Sequence, residues 1–569
     1  MERSCKECRA TFTIGDNDLA FYEKISPTFN GKQELIPPPL HCPECRQRKR
    51  VAQGNLVHLY KRKCDLTGVE MVTNYHPDAP YKVYKQTAWW SDKWDAMEYG
   101  RDFDFSRPFF EQYAELLLVV PRYSLHTTYE FDENAEYTNY ATTNKNSYLI
   151  FDSDFNENCY YCFSMNHCVS CMDCFRTRKS ELCFGCIDSW HCYNSAFLQD
   201  CENCSDSVFL KNCIGCKNCL MCSNLRNKEY YVENKQVTKE EFEKFRALLN
   251  ASSTVEAARD RFDALKLEYP QRFMHGVNNE DVLGDYLTNC KNAEYCFDSS
   301  DLWDCKYSYQ GWEALKDSMD VQELGMAELI FESCYGGFNS QRLLFCSHCF
   351  GSHDLLYCTY CVHSGNLFGC VGLNRKEYCI FNKQYTKEEY EILVPKIIEH
   401  MRHDNDGAAM NPNPQVSGSW GEFFPIAIAS FAYNETLAQD FFPMEKKDAI
   451  AKGYKWRDED KRDFKPATME LPDATGNLKD SVTKEILACK TCGRNFKIIP
   501  QELLLLRQIS VPPPHECFFC RHKKRFAQRN SRTIHNRICA QCSKAIQTTY
   551  APDRPEIVYC EECYLKEVY

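Results

Sequence analysis

"SAFLQDCENCSDSVFLKNCIGCKNCLMC", Ser195–Cys222, repeats itself every twelve residues: Ser195, Leu198, Cys201 and Cys204 are followed by Ser207, Leu210, Cys213 and Cys216. Every third residue from Ser147 to Leu225 reads S I S N C C M C C C T S C C S C S L C C S L C C C C L, without a single charge. All fourteen cysteines between Cys159 and Cys222 lie on this phase, whereas Asp173, Arg176, Lys179, Glu202 and Lys211 lie off it. A helix would give a period near 3.6 and a flat strand a period of 2. A sustained period of three is neither. It predicts a narrow β-solenoid in which four small side chains per coil point inward and successive coils stack about 4.8 Å apart, as strands do in any sheet.

A second array carries the same pattern. In "LLFCSHCFGSHDLLYCTYCVHSGNLFGCVG", Leu343–Gly372, the set Leu343, Cys346, Cys349, Ser352 is followed by Leu355, Cys358, Cys361, Ser364. The spacing is similar to the twelve-residue coils of one class of insect antifreeze solenoid, but the Thr-x-Thr rows of an ice-binding face are missing. A wider β-helix, with coils of about 21–24 residues, stays open at this point. The segment "WEALKDSMDVQELGMAELI", 312–330, breaks the phase and reads as an insertion. Free cysteine suits a narrow axis as a small, weakly polar hydrophobe. Zinc or an iron–sulfur cluster inside the array is the alternative, and disulfides are a third; thiols lined up along a ladder do not converge as metal ligands must.

Each array closes on a copied segment. "CSNLRNKEYYVENKQVTKEEFE" begins at Cys222 and "CVGLNRKEYCIFNKQYTKEEYE" at Cys370. Thr238 with Glu241, and Thr386 with Glu389, form capping boxes, so a helix starts after each. Stacked repeats need such ends, because an open one templates further pairing.

The two termini are also copies. Residues 36–84 align without a gap to 511–559: "IPPPLHCPECRQRKRVAQGN" becomes "VPPPHECFFCRHKKRFAQRN", and "NYHPDAPYKVY" becomes "TYAPDRPEIVY". Cys-x-x-Cys pairs recur at Cys5/Cys8 with Cys42/Cys45, Cys489/Cys492 with Cys517/Cys520, and Cys539/Cys542 with Cys560/Cys563. Two such knuckles place four thiolates at the corners of a tetrahedron, the mark of structural Zn2+, and a closed four-Cys site leaves no position for substrate. The duplication also exposes a loss: Cys64 aligns with Cys539, but Thr67, Lys85 and Ala88 replace the other three ligands. Three zinc sites are therefore expected, with the aromatic run "AWWSDKWDAMEYG" holding the metal-free ribbon.

The motifs "CxxC…FYEK…PxxCPECRxxKR" and "CAQC…TTYAPDRPEIVYCEECYLKEVY" make both ends resemble the zinc-ribbon proteins of uncharacterised bacterial genomes, particularly candidate phyla with small genomes. That resemblance implies zinc binding and no established reaction.

The chain has 569 residues, 37 cysteines and a net charge of −12. No run of about 18 apolar residues occurs, so no membrane span is expected. With no apolar N-terminal leader, the cysteines point to a reducing, cytoplasmic setting. No phosphate-binding Gly loop, G-x-S-x-G or base–nucleophile pair stands out, so no enzyme is expected.

Charge is uneven: Cys517–Pro552 holds eight Lys or Arg and no Asp or Glu. Directly behind the knuckles stand Arg46, Arg48, Lys49, Arg50 and Arg521, Lys523, Lys524, Arg525. Rigidly held cations of this kind neutralise phosphate, which makes RNA, DNA or the ribosome the first candidate partner. The same cations could instead meet the acidic solenoid within the chain. A protein-interaction scaffold and thiol-based metal storage or redox buffering are the competing functions.

The expected fold is mostly β: terminal zinc ribbons flanking Cys-rich β-solenoid repeats, with short capping helices. The ribbon plus metal-free ribbon occupies 1–90, an aromatic and helical connector 91–129, and the first solenoid 130–237. A helical cap follows at 238–283, then the second solenoid at 284–385, a helical and aromatic connector at 386–482, and two zinc ribbons at 483–569.

Overall fold

The computed structural model of the chain describes residues 1–403, 418–458 and 464–569. Parts of the 386–482 connector therefore lie outside the described residues. The molecule is strand-rich, with four-cysteine groups towards its ends and a Cys-rich centre. Its residues gather into two compact units, 1–124 with 274–457 and 125–273 with 458–569. The first unit joins the N-terminal knuckle modules to the second Cys-rich array, and the second joins the first array to the C-terminal modules.

Both arrays are parallel ladders with a twelve-residue register. Cys183 pairs with Ser195, Leu198 with Leu210, and Cys219 with Tyr231. Strands Thr138–Thr142 and Ile150–Asp154 pair with the same step, and from Glu157 to Glu181 the ladder continues as single parallel bridges, as in Glu157↔Val169 and Val169↔Glu181. In the first unit, Leu343 pairs with Leu355 and Leu355 with Leu367. This step excludes the wider coil.

The backbone explains the period of three. The residue before each inward position is left-handed: Asp200 (φ 53°), Asn203 (53°), Asp206 (52°), Phe209 (57°), Asn212 (53°) and so on along both arrays. A left-handed non-glycine residue costs roughly 1–2 kcal/mol, least for Asn and Asp. Every third residue thus turns the chain, and the one after it faces inward. There it is small and buried: Cys201, Cys204, Cys213, Cys216, Cys219 and Cys222 are each at most 2% exposed. Each thiol donates to a backbone carbonyl two residues back, and many also to the next rung. Cys213 Sγ, for example, lies 3.4 Å from Lys211 O and 3.6 Å from Cys222 O. Serine fills the same place and additionally accepts from the next rung, as Ser207 Oγ does from Cys219 N at 3.0 Å.

The supposed insertion is no insertion. Leu315–Glu328 is a strand within the ladder, paired on one side with Leu302–Tyr309 and on the other with Phe331–Leu344. Its partners stand thirteen residues away where Leu302 meets Leu315, and two successive left-handed residues, Glu313 and Ala314, absorb the extra one. A second shift follows between Gly325 and Ala327. Each bulge moves the inward phase by one residue. Gly325 is required there, since a Cβ would lie 2.4 Å from the Trp312 carbonyl oxygen.

Both ladders end alike. The last parallel strands, Glu229–Val232 and Glu377–Ile380, fold back antiparallel on Lys235–Gln236 and Lys383–Gln384. The two-residue turns Glu233–Asn234 and Phe381–Asn382 have both φ positive, as such hairpins favour. The capping boxes then form as expected: Glu241 N donates to Thr238 Oγ1 (3.2 Å) and Glu389 N to Thr386 Oγ1 (3.2 Å). The helices Lys239–Leu248 and Lys387–His403 return an aromatic ring to the closing strand, Phe242 on Tyr230 and Tyr390 on Tyr378.

Candidate metal centres

Three groups of four cysteines bring their sulfurs within 4.8 Å of one another: Cys5, Cys8, Cys42, Cys45; Cys489, Cys492, Cys517, Cys520; and Cys539, Cys542, Cys560, Cys563. Each is assembled in the same way. The first cysteine of a knuckle accepts a backbone bond from a left-handed residue four positions on: Arg9, Gly493 or Ser543. The third cysteine, Cys42, Cys517 or Cys560, caps the helix Pro43–Val51, Phe518–Phe526 or Glu561–Val568, and the fourth lies in its first turn. Both sulfurs thereby meet the positive end of a helix dipole.

The sulfur spacing tests whether a metal fits. Sulfurs of facing knuckles lie 3.6 Å apart in Cys8–Cys42, 3.7 Å in Cys492–Cys517 and 3.7 Å in Cys542–Cys560. A disulfide would need about 2.05 Å. A tetrahedron with metal–sulfur bonds of about 2.3 Å has edges of about 3.8 Å, so the sites fit an ion held by four thiolates. Burial would raise the Cys489 and Cys539 thiols, but converging backbone N–H groups outweigh it. Those of Cys517, Cys492 and Thr491 hold Cys489 at about 7, and those of Cys560, Cys542 and Gln541 hold Cys539 at about 6. At Cys192 and Cys296, in the ladders, burial prevails instead and pushes the thiols up to about 12. Among the described residues the ladder thiols form no such convergent group.

The fourth knuckle module has no ligand set, yet keeps its geometry. Strands Tyr60–Lys63 and Glu70–Thr73 occupy the places of His535–Ile538 and Ala545–Thr548. Gly68 N donates to Cys64 O as Ser543 N does to Cys539 O. Lys85 N donates to Cys64 Sγ at 3.3 Å, and Cys560 N to Cys539 Sγ at 3.2 Å. Where metal would sit, Ala88, Trp89, Tyr84, Tyr81 and Tyr75 pack with Cys64 in one buried cluster. Trp89 crosses Tyr123 and Trp94 at 5.2 and 5.6 Å.

Two arginines of each basic helix behind the knuckles are turned onto ladder carboxylates. Arg50 is fully buried and reaches Glu332 (2.6 Å) and Asp320 (3.1 Å); Arg46 reaches Asp320 at 2.9 Å. Asp320 and Glu332 are left-handed residues one rung apart, so two arginines one helical turn apart meet two carboxylates stacked on the ladder. Arg48 pairs with Glu7 and donates to Cys45 Sγ at 3.6 Å, and Lys49 lies 3.4 Å from His41.

The C-terminal helix repeats the arrangement. Arg521 and Arg525 converge on buried Asp173 at 2.9 and 2.8 Å, and Arg529 meets Asp188 at 2.7 Å. Lys524 pairs with Glu516 at 2.7 Å while remaining exposed, and Lys523 is exposed. Of the eight cations proposed for phosphate, Arg46, Arg50, Arg521 and Arg525 are engaged by ladder carboxylates. Asp173, Asp320 and Glu332 are the site residues that sequence reading missed; their charges stand off the inward phase, at left-handed positions.

No protein-family model and no curated protein matches the chain.

Proposed function

We propose that the protein is a non-enzymatic scaffold in which three structural zinc ions hold the knuckle modules, and each module clamps a ladder that winds as a β-solenoid. The uncovered sides of the solenoids then serve a protein partner. The paired clasp carries this reading: Arg46 and Arg50 on Asp320 and Glu332, and Arg521 and Arg525 on Asp173. Cations buried against carboxylates fasten a ribbon to its platform and are withdrawn from phosphate. Zinc is the metal that four thiolates at these spacings suit, and a site closed by four protein ligands supplies folding energy rather than catalysis. Free buried thiols in the ladders accord with a reducing cytoplasm. The resemblance of the termini to candidate-phyla zinc-ribbon proteins agrees with zinc.

Elemental analysis together with nucleic-acid retention across a salt series tests this. The expected result is three zincs per chain, no visible absorbance, and no retention of RNA or DNA at about physiological ionic strength, where the Debye length is about 8 Å. Salt-sensitive retention that Lys523→Gln/Lys524→Gln abolishes would restore the nucleic-acid reading. Metal well beyond three ions per chain would favour thiol-based storage instead.

A further inference from the structure

Where the ladder of the first unit takes its thirteen-residue steps, at Glu313–Ala314 and between Gly325 and Ala327, its surface opens into a groove of about 640 Å³. Trp303 and Met326 line it, with Asp301, Glu313 and Glu328 as its carboxylates and Lys316 as its ammonium. Met326 is 40% exposed, and Glu313, Lys316 and Glu328 are exposed as well. Both irregularities serve the opening. The thirteen-residue step at Glu313 and Ala314 displaces one wall, and the shift between Gly325 and Ala327 displaces the next rung.

We propose that this groove binds an extended segment of a partner protein through a lysine or arginine side chain. The proposal deepens the scaffold reading and rests on it. Three carboxylates face one ammonium, so the groove is short of positive charge. Its aromatic wall already holds a cation: Lys316 Nζ stands 5.1 Å from the centre of the Trp303 ring. An incoming cation would add to that set, its stem on Met326 and its head among Asp301, Glu313 and Glu328. At an exposed site neither a cation on an indole face nor a single ion pair holds a ligand tightly. Binding is therefore expected to be weak for a single side chain and to depend on a segment lying along the groove.

The full-length protein is titrated with a pentalysine peptide and, as control, a pentaglutamate peptide, following Trp303 by the difference from Trp303→Phe. Pentalysine should bind and pentaglutamate should not. Raising salt should weaken binding, and Glu313→Gln/Glu328→Gln should weaken it about three- to tenfold at unchanged thermal stability. Equal binding by that variant, or no response to pentalysine, overturns the proposal. Independently, a photo-crosslinking amino acid at Met326, and another at exposed Val169 on the other ladder, are tested in the cells that make the protein. A Met326 adduct on a Lys- or Arg-bearing segment supports the groove. An adduct on an acidic segment or on nucleic acid, or adducts at Val169 alone, overturn it while leaving the scaffold reading standing. Adducts at neither position overturn both.

Discussion

The modules at 60–89 and 535–568 descend from one sequence and fold onto the same strands, yet one gathers four thiols and the other gathers rings. Their shared parts are the hairpin, the left-handed fourth residue and the N–H bond to the first sulfur. Their difference lies in what fills the centre. Cys539, Cys542, Cys560 and Cys563 form a four-thiol group that can hold an ion; Cys64 with Ala88, Trp89 and the surrounding tyrosines forms a small apolar core. The comparison teaches that a ribbon backbone is a local structure with two separate means of closure. A metal closes it wherever it stands. An aromatic core closes it only where neighbours bring enough surface, and here Tyr123 and Trp94 do so.

The largest expected effect comes from removing the metal-bearing closure. Metal in such modules contributes on the order of 10–16 kcal/mol of folding free energy. Cys560→Ser/Cys563→Ser should therefore unfold the last module and lower metal content by one ion per chain, read by elemental analysis and by hydrogen exchange over 535–568. Full metal retention in that variant would break the assignment of ligands.

The clasps come next. Removing one partner of a buried ion pair leaves a charge uncompensated and costs about 3–5 kcal/mol. Arg50→Gln should destabilise the 1–124 with 274–457 unit, and Arg525→Gln the other, each without loss of metal. Denaturant unfolding with metal analysis checks this; an unchanged midpoint would show that the clasp holds nothing.

Trp89→Ala sharpens the comparison between the two closures. Deleting a buried Trp typically costs about 3–5 kcal/mol. Exchange protection should be lost over 60–89, with metal content unchanged, and a chelator should spare this module while it unfolds 535–568. Equal sensitivity to the chelator would mean that the aromatic core is not what closes it.

Single-thiol changes rank last. Cys64→Ala and Cys213→Ala should each cost about 1–2 kcal/mol and release no metal, since small apolar side chains replace small buried ones. Cys213→Asp should by contrast be severe, because it buries a charge. Loss of metal on Cys213→Ala would show that the ladder thiols are ligands after all.

Much of this was legible in the chain before any coordinates. The period of three and the step of twelve are visible at Ser195–Cys222, because the inward position tolerates only small side chains. The alignment of 36–84 with 511–559 places the knuckles, their helices and the lost ligands at Thr67, Lys85 and Ala88. Asn and Asp recurring just before inward cysteines, as at Asp200, Asn203 and Asn212, were a readable sign of left-handed backbone. The phase break at 312–330 misled because a single extra residue shifts every later inward position, so a continuous ladder looks interrupted. The basic helices left two readings open, phosphate or the chain's own acidic array, for another reason. Arg50 meets Glu332 and Arg521 meets Asp173, partners hundreds of residues apart, and no local pattern distinguishes a cation aimed at phosphate from one aimed at a distant carboxylate.

The twelve-residue step has a consequence for how such a protein can change. Each rung adds about 4.8 Å and restores both the backbone phase and the inward side chain. Gain or loss of one whole rung leaves every neighbour in register, so the platform can lengthen in fixed increments while its closing hairpin and terminal modules stay as they are. A change of one residue instead deforms the surface locally, as at Glu313 and Ala314. Length and shape are thus separately adjustable: reach grows by twelves, and recesses arise by ones.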